Sequence, residues 1–227
     1  MGAIDLGATK VFSLVATPEG LILGKDRRPT LAPRGPRAVL AQMEGSLRAS
    51  LRRAHLSMRD LGAVGIASPG PIDLVAGVVR HPPNLPGWGA LPLRRLMEER
   101  LGLPVVLEND ATAAAVGEHT FGAGRGARHM VYVTVSTGIG GGIIVDGKPY
   151  RGKGGAAGEL GHIIVQADGP LCGCGARGCI EALASGTAIA RRAQELIAQG
   201  HAPILAEMAG QQELTAALVA KAAKAGD

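Results

Sequence analysis

One imidazole and three thiols lie close together in the last third of the chain. Glu159-Leu-Gly-His162 is followed by Cys172-Gly-Cys174-Gly-Ala-Arg-Gly-Cys179-Ile-Glu181. His162, Cys172, Cys174 and Cys179 make a Cys₃His set of the kind that binds zinc tetrahedrally. Three soft thiolates select zinc over magnesium or calcium. With all four positions supplied by protein, such an ion is structural, with no open position for a reactive water. The intervening glycines let a short knuckle fold around it. The odd cysteine count and tight clustering argue against a disulfide framework and for a reducing compartment. The plainer alternative is three free thiols beside a satisfied histidine.

Two further segments suit phosphate. In Asp5-Leu-Gly-Ala-Thr-Lys10, an acidic residue ends a strand and a tight turn follows. Gly7 lets backbone approach a phosphate, Thr9 offers a hydroxyl, Lys10 a point charge, and Asp5 can hold Mg²⁺ through water. An ordinary hairpin turn has the same composition. Ser136-Thr-Gly-Ile-Gly-Gly-Gly142 is neither a P-loop, since no Gly-Lys-Ser/Thr follows, nor a dinucleotide fingerprint, since a strand follows it. A strand, glycine turn and strand with Ser136 and Thr137 suits a second phosphate clamp. Glu108-Asn109-Asp110 lies where a strand meets a helix. Asn109 or Asp110 there is either a helix N-cap or part of a ligand site at the carboxyl end of a strand.

These groups need elements to hold them. Gly2–Gly7, Val11–Thr17 and Leu21–Gly24 read as strands, and 36–55 as a helix with Val39, Leu40, Met43, Leu47 and Leu51 on one face. Leu61–Ala67 and Val105–Leu107 read as strands, Leu93–Leu101 and Asn109–Gly122 as helices. The proline-rich stretch 82–92, around Asn84 and Trp88, reads as an ordered loop or hinge. Met130–Ser136 and Ile139–Val145 form a hairpin, the cysteine segment is irregular, and 181–224 is Ala-rich and mostly helical. Hairpins mixed with βα steps indicate an α/β protein.

The chain has 227 residues, 46% hydrophobic and 19% charged, enough apolar material for a core and against disorder. The 35 glycines follow no triplet period, which excludes collagen. Phe12, Trp88, Phe121, Tyr132 and Tyr150 are the aromatic residues, too few for a base-stacking nucleic-acid surface. The net charge of +5 suits a phosphate-bearing ligand, although scattered Lys and Arg also make an ordinary solvated surface. No apolar run approaches the ~18 residues of a membrane span, and the N-terminus lacks the basic region of a signal peptide. The expected location is the cytoplasm.

Taken in order from residue 2 to about residue 190, these motifs resemble the ROK family of sugar kinases and their relatives. Asn84-Leu-Pro-Gly-Trp88 points to its bacterial glucokinase branch. The resemblance implies an actin/hexokinase-type (ribonuclease H-like) α/β fold of two lobes around a cleft, here 1–112 and 113–227. It implies ATP-dependent phosphorylation of a hexose, glucose at its 6-hydroxyl, with Mg²⁺ accompanying ATP and structural zinc. Asp110 matches the catalytic base. Asn84, Asn109, Asp110, Glu159, His162 and Glu181 match the sugar contacts. Asp5, Gly7, Thr9, Lys10, Thr137, Gly138 and Gly140 match the ATP phosphate contacts. A homodimer is implied.

The family's later glycine-rich adenosine turn and its final helix have no counterpart before Ala225-Gly226-Asp227. The second lobe is therefore expected to be incomplete and the chain cut inside a domain. Repressors of the family carry a helix-turn-helix ahead of the first hairpin. Asp5 stands too near the start for one, so no DNA-binding region is expected. The alternatives to a kinase are a non-catalytic sugar-binding or regulatory protein and an inactive fragment.

Overall fold

The computed structural model describes residues 1–82, 84–210 and 212–227. They group into two compact units, Met1–Met130 with Ile144–Ala156, and Val131–Ile143 with Ala157–Asp227.

In the first unit, β1 (Gly2–Leu6), β2 (Lys10–Ala16) and β3 (Ile22–Pro29) form an antiparallel meander, followed by α1 (Pro36–Arg53) and β4 (Val64–Ser68). Three short strands come next: β5 (Ile72–Asp73), β6 (Val78–Arg80) and β7 (Ala90–Leu91). Then come α2 (Leu93–Leu101), β8 (Val105–Asn109) and α3 (Asp110–Phe121). The main sheet has the order β3-β2-β1-β4-β8, with β4 parallel to both β1 and β8. Residue 112 stands inside α3, and the whole of that helix belongs to the first unit.

The period-two pattern of β1 decides its faces. Gly2, Ile4 and Leu6 are buried under α1, and Asp5 emerges on the opposite face. On α1, Val39, Leu40, Met43, Leu47 and Leu51 recur at helical steps and are buried against the sheet. Each such side chain contributes roughly 1.5–3 kcal/mol. Ser46 and Ser50 are buried on the same helix, and each lies 2.7 Å from the hydroxyl of Ser13 on β2.

Two departures from the sequence reading have physical causes. The third strand runs on to Pro29 because β3 pairs along the whole of β2, from Ala16↔Ile22 to Lys10↔Pro29. Its second half is charged because it is an edge strand. Asp26 there is paired with Arg28 and with Arg53 of α1, at 2.7 Å each. The strands β5, β6 and β7 are too short to carry a period. The proline-rich loop between β6 and β7 is ordered by buried Leu85 and Trp88.

A second sheet has the order β11-β10-β9, built from β9 (Met130–Val135), β10 (Ile139–Val145) and β11 (Lys148–Pro149). Beyond it a 3₁₀ turn spans Leu160–His162, and the cysteine segment is pinned by the bridges Ile164↔Cys179 and Leu171↔Arg177. The Ala-rich end forms α4 (Ile180–Ala184), α5 (Gly186–Ala198), α6 (Pro203–Ala209) and α7 (Ala216–Lys224). Of these, α5, α6 and α7 share a small core of Ala193, Leu205 and Ala222, together with Ala202 at the cap of α6.

Candidate active site and metal centre

Parallel pairing brings the carboxyl ends of β1, β4 and β8 together, since Asp5 is opposite Ala67 and Ser68 is opposite Asn109. Ligands of open α/β sheets gather at such ends. Asn109 caps α3, its Oδ1 accepting the N–H of Thr112 at 3.0 Å. That cap puts Asp110 in the first turn, where its Oδ1 accepts the N–H of Ala111 at 2.8 Å. Asp5 and Asp110 both keep an exposed edge, yet protein surrounds each closely enough for burial to raise both carboxyls above the ordinary range. The charge of Asp110 raises Asp5 further.

The first turn is closed by the N–H of Gly7 donating to the Lys10 carbonyl at 2.9 Å. Buried Thr30 braces it, its hydroxyl donating to the Gly7 carbonyl at 2.7 Å. Thr9 and Lys10 are exposed at its tip. Glu108, next to the cap, accepts from the N–H of Asn109 at 3.0 Å and from Arg151 Nε at 2.8 Å. Asn84 is exposed on the loop anchored by Leu85 and Trp88.

In the second unit, the turn between β9 and β10 is closed by the N–H of Ser136 donating to the Gly138 carbonyl at 2.8 Å. The start of α5 grips the same turn. Gly186 N–H donates to the Ser136 carbonyl at 2.7 Å, and the Thr187 hydroxyl donates to the Thr137 carbonyl at 2.9 Å. Ser136, Thr137, Thr187, Arg191 and Gln194 border a cavity of about 920 Å³.

The metal-ligating atoms of His162, Cys172, Cys174 and Cys179 all lie within 4.8 Å of one another. His162 Nδ1 is 3.6 Å from Cys172 Sγ, and Cys174 Sγ is 3.7 Å from Cys179 Sγ. A tetrahedral ion with Zn–S bonds of ~2.3 Å separates neighbouring sulfurs by about 3.8 Å. The cluster thus has the spacing of a four-coordinate site and can hold a metal ion. His162 Nε2 points elsewhere, 3.8 Å from Glu159 Oε2. Burial, then the neighbouring thiols, pushes the Cys179 thiol well up. The N–H of Ala176, then Cys172, holds Cys174 down. Thiols must lose their protons to ligate, so ligand deprotonation and ion binding are one event.

The ROK family profile matches residues 1–227. The chain belongs to the ROK family. It is 41% identical over 213 residues to the glucokinase of Thermotoga maritima, covering 92% of this chain and 65% of that enzyme. It is 37% identical over 209 residues to an N-acetylmannosamine kinase of Escherichia coli, covering 92% of this chain and 69% of the other. A ROK family glucokinase from Streptomyces griseus, crystallised with glucose and AMPPNP, superposes with a TM-score of 0.82 at 38% identity. That match covers all of this chain and 71% of the crystallised one. The fold of this ROK chain is accordingly the actin/hexokinase-like α/β fold, spanning part of its relatives' length.

Within the first unit the structure brings together Asp5, Gly7, Asn109 and Asp110. Within the second it brings together Thr137, Gly138, Glu159, His162, the three cysteines and Glu181. Gly140 lies on β10 beyond the turn. Thr30, Arg151, Gly186 and Thr187 escape sequence reading because each acts on a motif remote in the chain. No helix among the described residues is long and apolar enough to cross a membrane.

Proposed function

We propose that this ROK chain, as part of its protein, transfers the γ-phosphoryl group of ATP to a hexose, with the 6-hydroxyl of glucose as acceptor. The observation that carries the reading is Asp110, a carboxylate of raised proton affinity held in the first turn of α3 at the carboxyl end of a parallel sheet. Its carboxylate takes the proton of the sugar hydroxyl as that oxygen attacks the γ-phosphorus. The bond to the β,γ-bridging oxygen breaks and ADP leaves. Positioning and charge stabilisation do most of the work in such a transfer.

Asn84, Asn109, Glu159, His162 and Glu181 hold sugar hydroxyls as amide, carboxylate and imidazole partners. Asp5, Gly7, Thr9 and Lys10 receive phosphate on the first turn, and Thr137, Gly138 and Gly140 on the second. The nucleoside uses the cavity beside Thr137. Mg²⁺ would come with ATP and supply neutralising charge for the phosphates, and Asp5 is the residue that would hold it, through water.

His162, Cys172, Cys174 and Cys179 hold a structural zinc, whose contribution is to fix the His162 ring and the loop carrying Glu159 and Glu181. Reduced thiols at this centre fit the cytoplasm. The exposed apolar side chains of Ile163, Ile164, Val165 and Leu171 beside the knuckle support association into a homodimer.

A coupled assay of ADP release over glucose, N-acetylmannosamine and other hexoses tests the reading. Glucose should give the highest kcat/KM. Absence of ADP release with every sugar overturns phosphoryl transfer, and full activity in Asp110→Asn overturns the role of Asp110. A preference for N-acetylmannosamine overturns the choice of glucose alone.

A further inference from the structure

We propose that Glu181 is a positioning residue that ties the metal centre to the turn between β9 and β10, so that ion occupancy governs the geometry of that turn. The nucleotide part of the inference rests on the kinase reading above.

Ile139, the first residue of β10, is gripped on two sides. Glu181 Oε2 accepts its N–H at 2.8 Å. A carboxylate accepting a backbone N–H makes a charge-assisted bond, stronger than one between neutral groups. On the other side, the backbone of Gly161 presses on the Ile139 carbonyl. A Cβ at Gly161 would come within 2.1 Å of that oxygen, so only glycine permits the approach. A Cβ at Gly138 would lie 2.4 Å from Glu181 Oε2, so any side chain there displaces that carboxylate.

Both grips belong to the metal centre. Gly161 is the chain neighbour of His162. Glu181 lies two residues after Cys179 in α4, and its Oε1 is 3.9 Å from Cys172 Sγ. His162 ends a 3₁₀ turn, Cys179 caps α4, and the segment between them is held by turn hydrogen bonds and two isolated bridges, so a bound ion adds the one cross-link that joins all four ligand atoms. Without it the knuckle relaxes, and the acceptor of Ile139 N–H and the wall behind its carbonyl relax together. The turn held this way carries Thr137 and Gly138. Glu181 therefore acts on phosphate binding through Ile139, in addition to any contact with sugar.

Hydrogen exchange at the Ile139 amide and sugar-free titration with ADP test this on zinc-loaded protein, zinc-stripped protein, Glu181→Ala and Glu181→Gln. Zinc content and circular dichroism are recorded for each. In Glu181→Ala the Ile139 amide should exchange about tenfold faster and ADP affinity should fall by about fivefold, the scale of one lost charge-assisted hydrogen bond. Glu181→Gln keeps an acceptor oxygen and should restore most of both. Stripping zinc should speed Ile139 exchange to a similar degree. If Glu181→Ala does not fold, Glu181→Asp, one methylene short of Ile139, replaces it. Unchanged Ile139 exchange in the folded Ala or Asp variant, or full protection in zinc-stripped protein, overturns the link. If the zinc-loaded wild type binds no ADP while Ile139 exchange still follows Glu181 and zinc, the kinase reading fails and the link stands.

Discussion

Burial raises the proton affinity of both Asp5 and Asp110, and the charge of Asp110 raises that of Asp5 further. Asp5 lies near the carboxyl end of β1 and Asp110 starts α3 directly after β8, so two carboxyls of raised proton affinity share one end of the sheet. This relationship sets the pH behaviour of the site.

Asp110→Asn should lower kcat by about 10²–10⁴-fold, the usual contribution of a positioned base. In the wild type the acid limb of kcat/KM should lie above the ordinary aspartate value of ~3.9, because the base form is lost as pH falls through a raised pKa. The stability sign runs the other way. A carboxyl raised on folding favours the folded state most at acid pH, and that contribution is lost as pH rises through its folded pKa. Asp110→Asn should therefore melt no lower than wild type at pH 7, with any advantage vanishing near pH 3. A lower melting temperature at pH 7 would contradict the raised pKa.

Thr30→Val should cost about 1–2 kcal/mol, because it removes the donor to the Gly7 carbonyl from a buried position. Urea unfolding reads the cost, and the KM for ATP should rise with it. Thr30→Ser keeps the hydroxyl and should recover most of both. Equal stability of Val and Thr at this position would remove Thr30 as the brace of the first turn.

Thr187→Val should raise the KM for ATP roughly two- to tenfold with little change in the KM for sugar, the range of one neutral hydrogen bond. The hydroxyl holds the Thr137 carbonyl and so the turn between β9 and β10, to which the kinase reading assigns phosphate. Steady-state kinetics with each substrate varied in turn separates the two effects. A rise confined to the sugar KM would reject this role.

Protein purified without chelator should contain about one zinc per chain, with Zn–S bonds near ~2.3 Å by X-ray absorption. Zinc should be released as pH falls, since thiolates and imidazole must be unprotonated to ligate. Cys174→Ser should lose zinc and lower the melting temperature together. Metal analysis finding none, or a disulfide between two of the cysteines, would reject the centre.

The chemistry that neighbouring residues perform together was legible in the sequence. His162 and the three cysteines sit within one short, glycine-rich segment, so their spacing alone predicts a four-ligand set, and the structure clusters them. The same holds for the buried stripe of α1 and for Asn109 as the cap that delivers Asp110, because helical period and capping are local. Charged β3 and the two- and three-residue strands between β4 and α2 were not legible, since edge position and shortness erase the period. Nor were the braces: Thr30 on Gly7, Arg151 on Glu108, Thr187 on Thr137 and Glu181 on Ile139. Each joins residues more than a full element apart in the chain. Their meeting depends on strand order, on which face each strand buries, and on how closely glycine lets two backbones approach. Tertiary structure also turned the acids Asp5 and Asp110 into an interacting pair. Strand pairing sets the distance between two charges, and the protein packed around them sets how strongly each is felt.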